Sequence, residues 1–548
     1  MFSPSKRIGI ITGLVLLAVS LSPSAVRNAD ADVTSADSQL KQHQKALLDD
    51  EAPAGTDVTS AHAGMHDKPV RTTAANPDSS RVLQGSTPAV GGRWTRLASL
   101  PKGFNAYHMI MGPGGKILLI AGSGNNAQEF KAGTFKAYIW SPTKGVTKTL
   151  RTPTDMFCSG HMLMSNGQGI AAGGTARYSP WKGSKGLYTF DFATETFKRQ
   201  RDMAHGRWYP SIINTASGEA MITGGFDENG ANSGTTEVYS PTHQTSHKLA
   251  GTRSFPLYPH LFLTAKGQYF YTGAGWANKT SDTVIHEAGF WNPANGNTFR
   301  PITGLTNASQ RGSGASCFVG DVRQQTMMVM GGGWPATAST NVIDLKSAKP
   351  VYRRGPNLPA AKAYVGCVNL PDGSLLEANG GSANKISTAS REVSMLTSAS
   401  ATSWTKLNPM PAGEHRLYHS MLFLTDDGNV ISMGSNPKGE SRSNSVLMFE
   451  PPYQFRGTRP LLTEVPSTLS YGQTYTLKVG SDVTSLAIDA PQSPTHSSNP
   501  NMRYLVLPVK NGRVTMSFTA NDFPPGHVRL WAKNSKGAVS TARWTKLS

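Results

Sequence analysis

Cysteine is almost missing from this chain. Three residues in 548, Cys158, Cys317 and Cys367, rule out a disulfide-knit scaffold, and the odd count leaves at least one cysteine with another fate. Charge is sparse as well, at 16% of residues, and the acidic sign is the scarcer, 34 against 53 Lys and Arg. The net charge of +19 is scattered, with no basic helix and no dense basic run. That pattern excludes specific nucleic-acid recognition and leaves a loose attraction to anionic surfaces such as a cell envelope. Beyond the leader-like N-terminus no apolar run is long enough to cross a membrane. Long helical periodicities are also lacking.

Glycine, by contrast, is abundant at 56 residues. It punctuates short apolar runs, which is the texture of an all-β protein. The length allows a large core. Lys6 and Arg7 followed by an apolar segment from Ile8 to Leu21, with Ala29-Asp30-Ala31 beyond it, read as an export signal over 1–31. The expected product is secreted, extracellular or periplasmic, or membrane-anchored if the segment is not cleaved. Residues 32–90 are poor in large apolar side chains and read as a flexible linker. His43, His62 and His66 fall in it, as solvated residues rather than metal ligands.

From residue 91 a repeat emerges: an aromatic or small residue, an apolar strand, a turn ending in Gly, a second strand and a Gly-rich end. Units start at 107, 158, 209, 258, 316, 364 and 418, spaced 48 to 58 residues apart. Third strands end in Tyr-x-Pro or similar, as in EVYSPTHQ and GFWNPANG with Trp291, and a fourth strand follows. Four strands per unit and seven units predict a seven-bladed kelch-type β-propeller over 91–456. The last unit lacks its fourth strand. GRWTRLASLP, ahead of the first unit, has that strand's pattern, so residues 92–101 are expected to close the ring and remove its open edges. Residues 457–548 change to short alternating strands, predicting an immunoglobulin-like β-sandwich. A monomer is expected.

Equivalent repeat positions share one rim of the propeller channel. Cys158, Tyr209, Tyr258 and Tyr364 stand nine residues before the turn glycine, and Tyr418 stands ten before, with one extra turn residue. A ring of phenols and a thiol suits a redox metal. The alternative is that aromatics plug the narrow end, the reading given to Tyr107, Tyr258 and Tyr364. Cys317 and Cys367, in adjacent units, differ in phase by two residues and are expected as separate buried thiols. His161 reads as packing. His415 reads as a residue behind the site or an exposed one.

Four segments carry a family resemblance: DMFCSGH with Cys158, GRWYPS with Tyr209, RLYHSMLFL with Tyr418 and His419, and PTHSSNPNMRYLVL with His496. In this order the chain from about 91 onward resembles the copper radical oxidases, the galactose oxidase and glyoxal oxidase family. The resemblance implies copper held by Tyr209, Tyr418, His419 and His496, with His496 reaching in from the sandwich. It also implies a self-processed thioether joining Cys158 to Tyr209, which eases oxidation of that phenol to a radical. The implied reaction oxidises a small aldehyde or primary alcohol and reduces O2 to H2O2, with Tyr418 as base. Two departures bear on the substrate. The family's stacking tryptophan position holds Asp227, preceded by Phe226; Trp276, in the same phase one blade later, is the candidate for stacking over the thioether, with Trp334 behind it. The sugar-binding arginine that follows Tyr258 in galactose-active relatives is Pro259, which favours glyoxal oxidase-like substrates. Two other function classes compete. One is a non-catalytic kelch propeller that binds envelope or extracellular glycans. The other is a glycoside hydrolase, for which no carboxylate pair stands at equivalent positions.

Overall fold

Alternation along the strands decides how the repeats pack. In a strand, successive side chains point to opposite faces. In the first unit Ile110, Leu118, Ile120 and Ile139 join one core, while Met109, Met111, Leu119 and Trp140 join another. Both faces are apolar, so each sheet must be sandwiched between two neighbours. The computed structural model describes residues 86–178, 180–276, 287–307 and 311–548; the leader and nearly all of the linker expected from the sequence lie outside them.

Seven four-stranded antiparallel sheets form the larger part. Their innermost strands are His108–Met111, Ser159–Leu163, Ser211–Asn214, Leu261–Leu263, Ala315–Phe318, Gly366–Asn369 and Met421–Leu424, here the inner strands of blades 1 to 7. The ring closes as expected. Arg93–Leu97 pairs antiparallel with Val446–Glu450 as the outer strand of blade 7. An Arg93–Glu450 ion pair and the Trp94 indole N–H donating to the Asn408 carbonyl pin it there.

One to three residues before six of the seven inner strands stands a positive-φ residue that is not glycine: Cys158 (63°), Tyr209 (66°), Tyr258 (43°), Ser313 (57°), Tyr364 (60°) and His419 (63°). This left-handed kink is costly for a side-chain-bearing residue and recurs ahead of the inner strand in every blade but the first. Backbone hydrogen bonds string the kinks together, Tyr209 N–H to Cys158 O, Tyr258 N–H to Tyr209 O and Tyr364 N–H to Ser313 O. The Gly-rich ends of the second strands permit this: a Cβ on Gly434, at φ +79°, would stand 2.6 Å from the His419 carbonyl oxygen.

The kinks correct two register assignments. In blade 7 the kinked residue is His419, with Tyr418 one position earlier. The turn after it, with Thr425 N–H to Asn429 O and Gly428 N–H to Thr425 O, has the same pattern as Thr264–Gln268 in blade 4, so it holds no extra residue. In blade 5 the kink falls at Ser313, three residues before the expected start.

That second shift explains a further correction. Cys317 and Cys367 form a disulfide between blades 5 and 6, Cα atoms 6.8 Å apart, rather than standing as separate thiols. Counted from Ser313 and Tyr364 they are four and three residues along, an odd difference, so they point to opposite faces of their sheets. Opposite faces of neighbouring blades are the ones that meet, and both cysteines sit in the core between these two.

Beyond residue 461 a five-stranded sheet and two strand pairs make the C-terminal β-sandwich. Its loop between Val483–Asp489 and Tyr504–Pro508 enters the propeller channel. Gln492 accepts Met111 N–H of blade 1 and, through its side chain, Leu424 N–H of blade 7; Asn501 bridges Ile212 O and Asn214 N–H of blade 3; Arg503 donates to Leu263 O of blade 4. Held to several blades at once, the loop fixes His496 among the residues that precede the inner strands.

Candidate metal centre

The kinks turn their side chains into the channel, where the loop meets them. Tyr209, Tyr418, His419, His496 and Cys158 are all buried, none more than 4% exposed. The Tyr209 and Tyr418 hydroxyls are in direct hydrogen-bond contact. His496 Nε2 lies 3.2 Å from the Tyr209 hydroxyl. The Cys158 sulfur and one nitrogen each of His419 and His496 lie within 4.8 Å of one another. Five residues from blades 2, 3 and 7 and the sandwich loop thus converge on one point.

Whether these residues fit a copper ion can be tested on the donors. His419 Nε2 is buried with no hydrogen-bond partner among the described residues, while the Asn436 side-chain amide stands 3.3 Å from Nδ1. A buried polar atom without a partner is costly, and a metal ion relieves it. Burial pushes the His419 and His496 imidazoles well below the ordinary histidine range, helped at His419 by the neighbouring His496, His108 and Arg442 and at His496 by His161. Both rings are therefore neutral and carry the lone pair that ligation needs. Two imidazoles and two phenols make a nitrogen and oxygen donor set suited to tetragonal Cu(II). The residues fit.

The aromatic surroundings differ from expectation. Trp276 does not lie over the Tyr209 ring. It meets that ring edge-on at 6.2 Å and stacks instead on Tyr418, 4.6 Å away and 23° from parallel. The indole stacked on Tyr209 is Trp208, at 4.0 Å and 13°, itself stacked on Trp181 at 4.7 Å and on Phe226 at 5.7 Å. Trp208 immediately precedes Tyr209, and nothing in the sequence marks it as the stacking partner. The kink at Tyr209 folds the two adjacent rings onto each other, and a dipeptide does not announce that. Trp334 touches Tyr364 rather than Tyr209, and Trp291 sits in the core between blades 3 and 4.

The phenols read as channel plugs do pack there. Tyr258 stacks on Tyr209 at 4.6 Å and donates to Ser159 O, while Tyr107 donates to Gly124 O and meets His419 edge-on at 4.2 Å. His161 is buried against His108, ring centres 4.9 Å apart. His415 bonds Ser435 and is half-buried.

Two buried imidazoles outside the ligand set make the fold acid-sensitive. Burial lowers His161 to about 4 and His260, paired with Ser316, to about 3. Both rings stay neutral in the folded protein while the unfolded chain takes up protons below about 6.5, so their contribution is complete above that pH and is lost as pH falls toward 4 and then 3. Each ring is expected to cost about 2 kcal/mol by pH 5. The thermal midpoint of metal-free protein, measured from pH 8 to pH 5, should fall steadily below about 6.5. A flat profile contradicts this account.

Comparison with known proteins follows the same outline. Residues 134–449 match the family model described as Glyoxal oxidase N-terminus, and residues 459–547 match the galactose oxidase-like early set domain. A galactose oxidase from Gibberella zeae is 25% identical over 491 residues, covering 82% of this chain and 70% of its own. An aldehyde oxidase GLOX from Vitis pseudoreticulata is 25% identical over 457 residues, covering 73% of this chain and 83% of its own. Among solved structures, a fungal alcohol oxidase of the AA5 family in complex with copper superposes with a TM-score of 0.71 at 20% identity, over 83% of this chain and 99% of that one.

Proposed function

The chain belongs to the copper radical oxidase family, whose glyoxal oxidase model spans most of its propeller, and from that premise we propose that it oxidises small aldehydes or primary alcohols with reduction of O2 to H2O2. The observation that carries this reading is the convergence of Tyr209, Tyr418, His419 and His496 on one buried point with Cys158 beside them. A pure glycan-binding module has no use for that set.

Tyr209, Tyr418, His419 and His496 would hold copper, and the ion would supply one-electron redox chemistry together with Lewis acidity toward a substrate oxygen. The chain's own residues divide the remaining work. Tyr418, in hydroxyl contact with Tyr209, takes the proton of the substrate hydroxyl or hydrated aldehyde as general base. Tyr209, joined to Cys158 by a thioether and already oxidised by one electron to the phenoxyl, takes the hydrogen atom from the adjacent carbon, and the second electron falls to the one-electron chemistry that the ion would supply. Making the thioether replaces one S–H and one ring C–H by a C–S bond, with O2 as the acceptor of the two hydrogens. The Trp208 ring on Tyr209 excludes water from the phenol and lies where it can share spin density. His419 and His496, neutral because buried, do not compete for the substrate proton.

The absence of a sugar-binding arginine after Tyr258, where Pro259 stands, and the aromatic surroundings favour small carbonyl substrates over galactose. The leader-like N-terminus and the disulfide support export to an oxidising compartment, and the scattered positive charge supports loose attachment to an anionic envelope. All of the converging residues come from one chain, so a monomer suffices.

The test is a peroxide-coupled screen of copper-loaded, pre-oxidised protein against glycolaldehyde, methylglyoxal, glyoxal and galactose. The expected result is turnover of the small aldehydes at least about tenfold above galactose. No peroxide from any of them, in protein shown to hold copper, sinks the proposal.

A further inference from the structure

Beside the converging ligands lies a hydrogen-bond chain that the proposed mechanism does not use. It joins His108 of blade 1, Cys158 of blade 2 and Thr495 and His496 of the sandwich loop. The Cys158 backbone N–H donates to His108 Nε2 at 2.9 Å. That nitrogen is therefore an acceptor, and the proton of neutral His108 resides on Nδ1, which faces Thr495 Oγ1 at 3.0 Å and donates to it. Thr495 has a single hydroxyl proton. The Tyr107 carbonyl, 2.9 Å away, can only accept, so the hydroxyl donates there. His496 Nδ1 stands 2.6 Å from the same Thr495 oxygen. With the hydroxyl proton committed to Tyr107, this contact is a hydrogen bond only if Nδ1 carries the proton. Nε2 of His496, the nitrogen nearest the Tyr209 hydroxyl, is then the bare lone pair. The opposite tautomer gives up the bond to the Tyr107 carbonyl and turns an N–H toward the ligand cluster.

We propose that Thr495 and His108 are positioning residues that lock His496 in the Nδ1–H tautomer, so that its lone pair is presented to the ligand cluster before any metal arrives. The chain also ties that tautomer to Cys158 through the cysteine's backbone amide. Ligand imidazoles are commonly oriented through their second nitrogen; here the threonine beside the ligand and a histidine from blade 1 share the task. Tyr107-His108 repeats the Tyr418-His419 dipeptide in the neighbouring blade, with the histidine turned to support rather than to the cluster.

The first half of the proposal stands without copper; the second half rests on the copper reading. Two measurements on the full chain separate them. In metal-free protein labelled with 15N-histidine, His496, identified by its loss in His496→Gln, should show a protonated Nδ1 and a bare Nε2. Thr495→Ser should keep that pattern, and Thr495→Val, of nearly equal volume, should lose it. In copper titrations against a competing chelator, Thr495→Val should bind about 10- to 100-fold more weakly than wild type, with an altered nitrogen hyperfine pattern in its Cu(II) EPR spectrum, and Thr495→Ser should match wild type. A wild-type His496 protonated on Nε2, or Thr495→Val and Thr495→Ser behaving alike in both experiments, overturns the proposal. Wild-type protein that binds no copper but shows the Nδ1–H tautomer overturns the functional reading and leaves the tautomer lock standing.

Discussion

Tyr209→Phe is expected to lower kcat/KM for the best aldehyde by at least about 10⁴-fold, about 5.5 kcal/mol of transition-state stabilisation. The substitution removes one oxygen and keeps the ring, so the stack on Trp208 and the packing against Tyr258 survive. What disappears is the hydroxyl shared with Tyr418 and approached by His496 Nε2, and with it both the proposed metal donor and the proposed seat of the radical. The repeat supplies its own control. Tyr258 occupies the equivalent kink one blade on, is just as buried, and sends its hydroxyl to the Ser159 carbonyl. Tyr258→Phe should hold kcat/KM within about fivefold of wild type. Equal losses from the two substitutions would mean that channel packing, not chemistry, governs the rate.

His496→Ala is expected to weaken copper binding by about 10³-fold, about 4 kcal/mol, and to abolish turnover at equimolar copper. His496 is the sandwich domain's contribution to the cluster, and its loop is held independently by Gln492, Asn501 and Arg503. Removing the imidazole should therefore leave the domain seated. The variant's thermal midpoint without metal should stay near that of metal-free wild type, while the copper-induced rise expected of wild type is lost. An unchanged copper affinity would exclude His496 as a ligand and remove the reason for threading that loop into the propeller.

Much of this architecture is legible in the chain because propeller repeats leave a period that survives divergence. The turn glycines and apolar strand pairs mark each blade, and the orphan strand around Trp94 signals closure. The motifs around Cys158, Tyr209, Tyr418 and His496 are short and contiguous, so they stand out. What escapes the sequence depends on side-chain direction. Because the other rim residues are mostly tyrosines, the repeat points to Tyr418 as the rim position of blade 7; the backbone instead places His419 at the kink, which is why the pair can aim both side chains at one point. The kink residue of blade 5 is Ser313, with no aromatic to mark it, and the resulting three-residue offset conceals the Cys317–Cys367 bridge. Trp276 stacks on Tyr418 and Trp208 takes the Tyr209 ring for a similar reason. A stacking partner is chosen by the angle at which the kink delivers the ring, and residue spacing carries no record of that angle. Tyr107-His108 repeats the Tyr418-His419 dipeptide, but the dipeptide alone does not tell a ligand histidine from a supporting one.

The central claim is that Cys158 and Tyr209 form one oxidised unit, and mass spectrometry tests it directly. Protein loaded with copper under air is denatured, reduced, alkylated and digested. The account predicts that the peptides bearing Cys158 and Tyr209 run as a single species, lighter than their sum by two hydrogens, with Cys158 inaccessible to alkylation while Cys317 and Cys367 are labelled. Fully alkylated Cys158 on a separate peptide, from protein that turns over aldehyde, would contradict it.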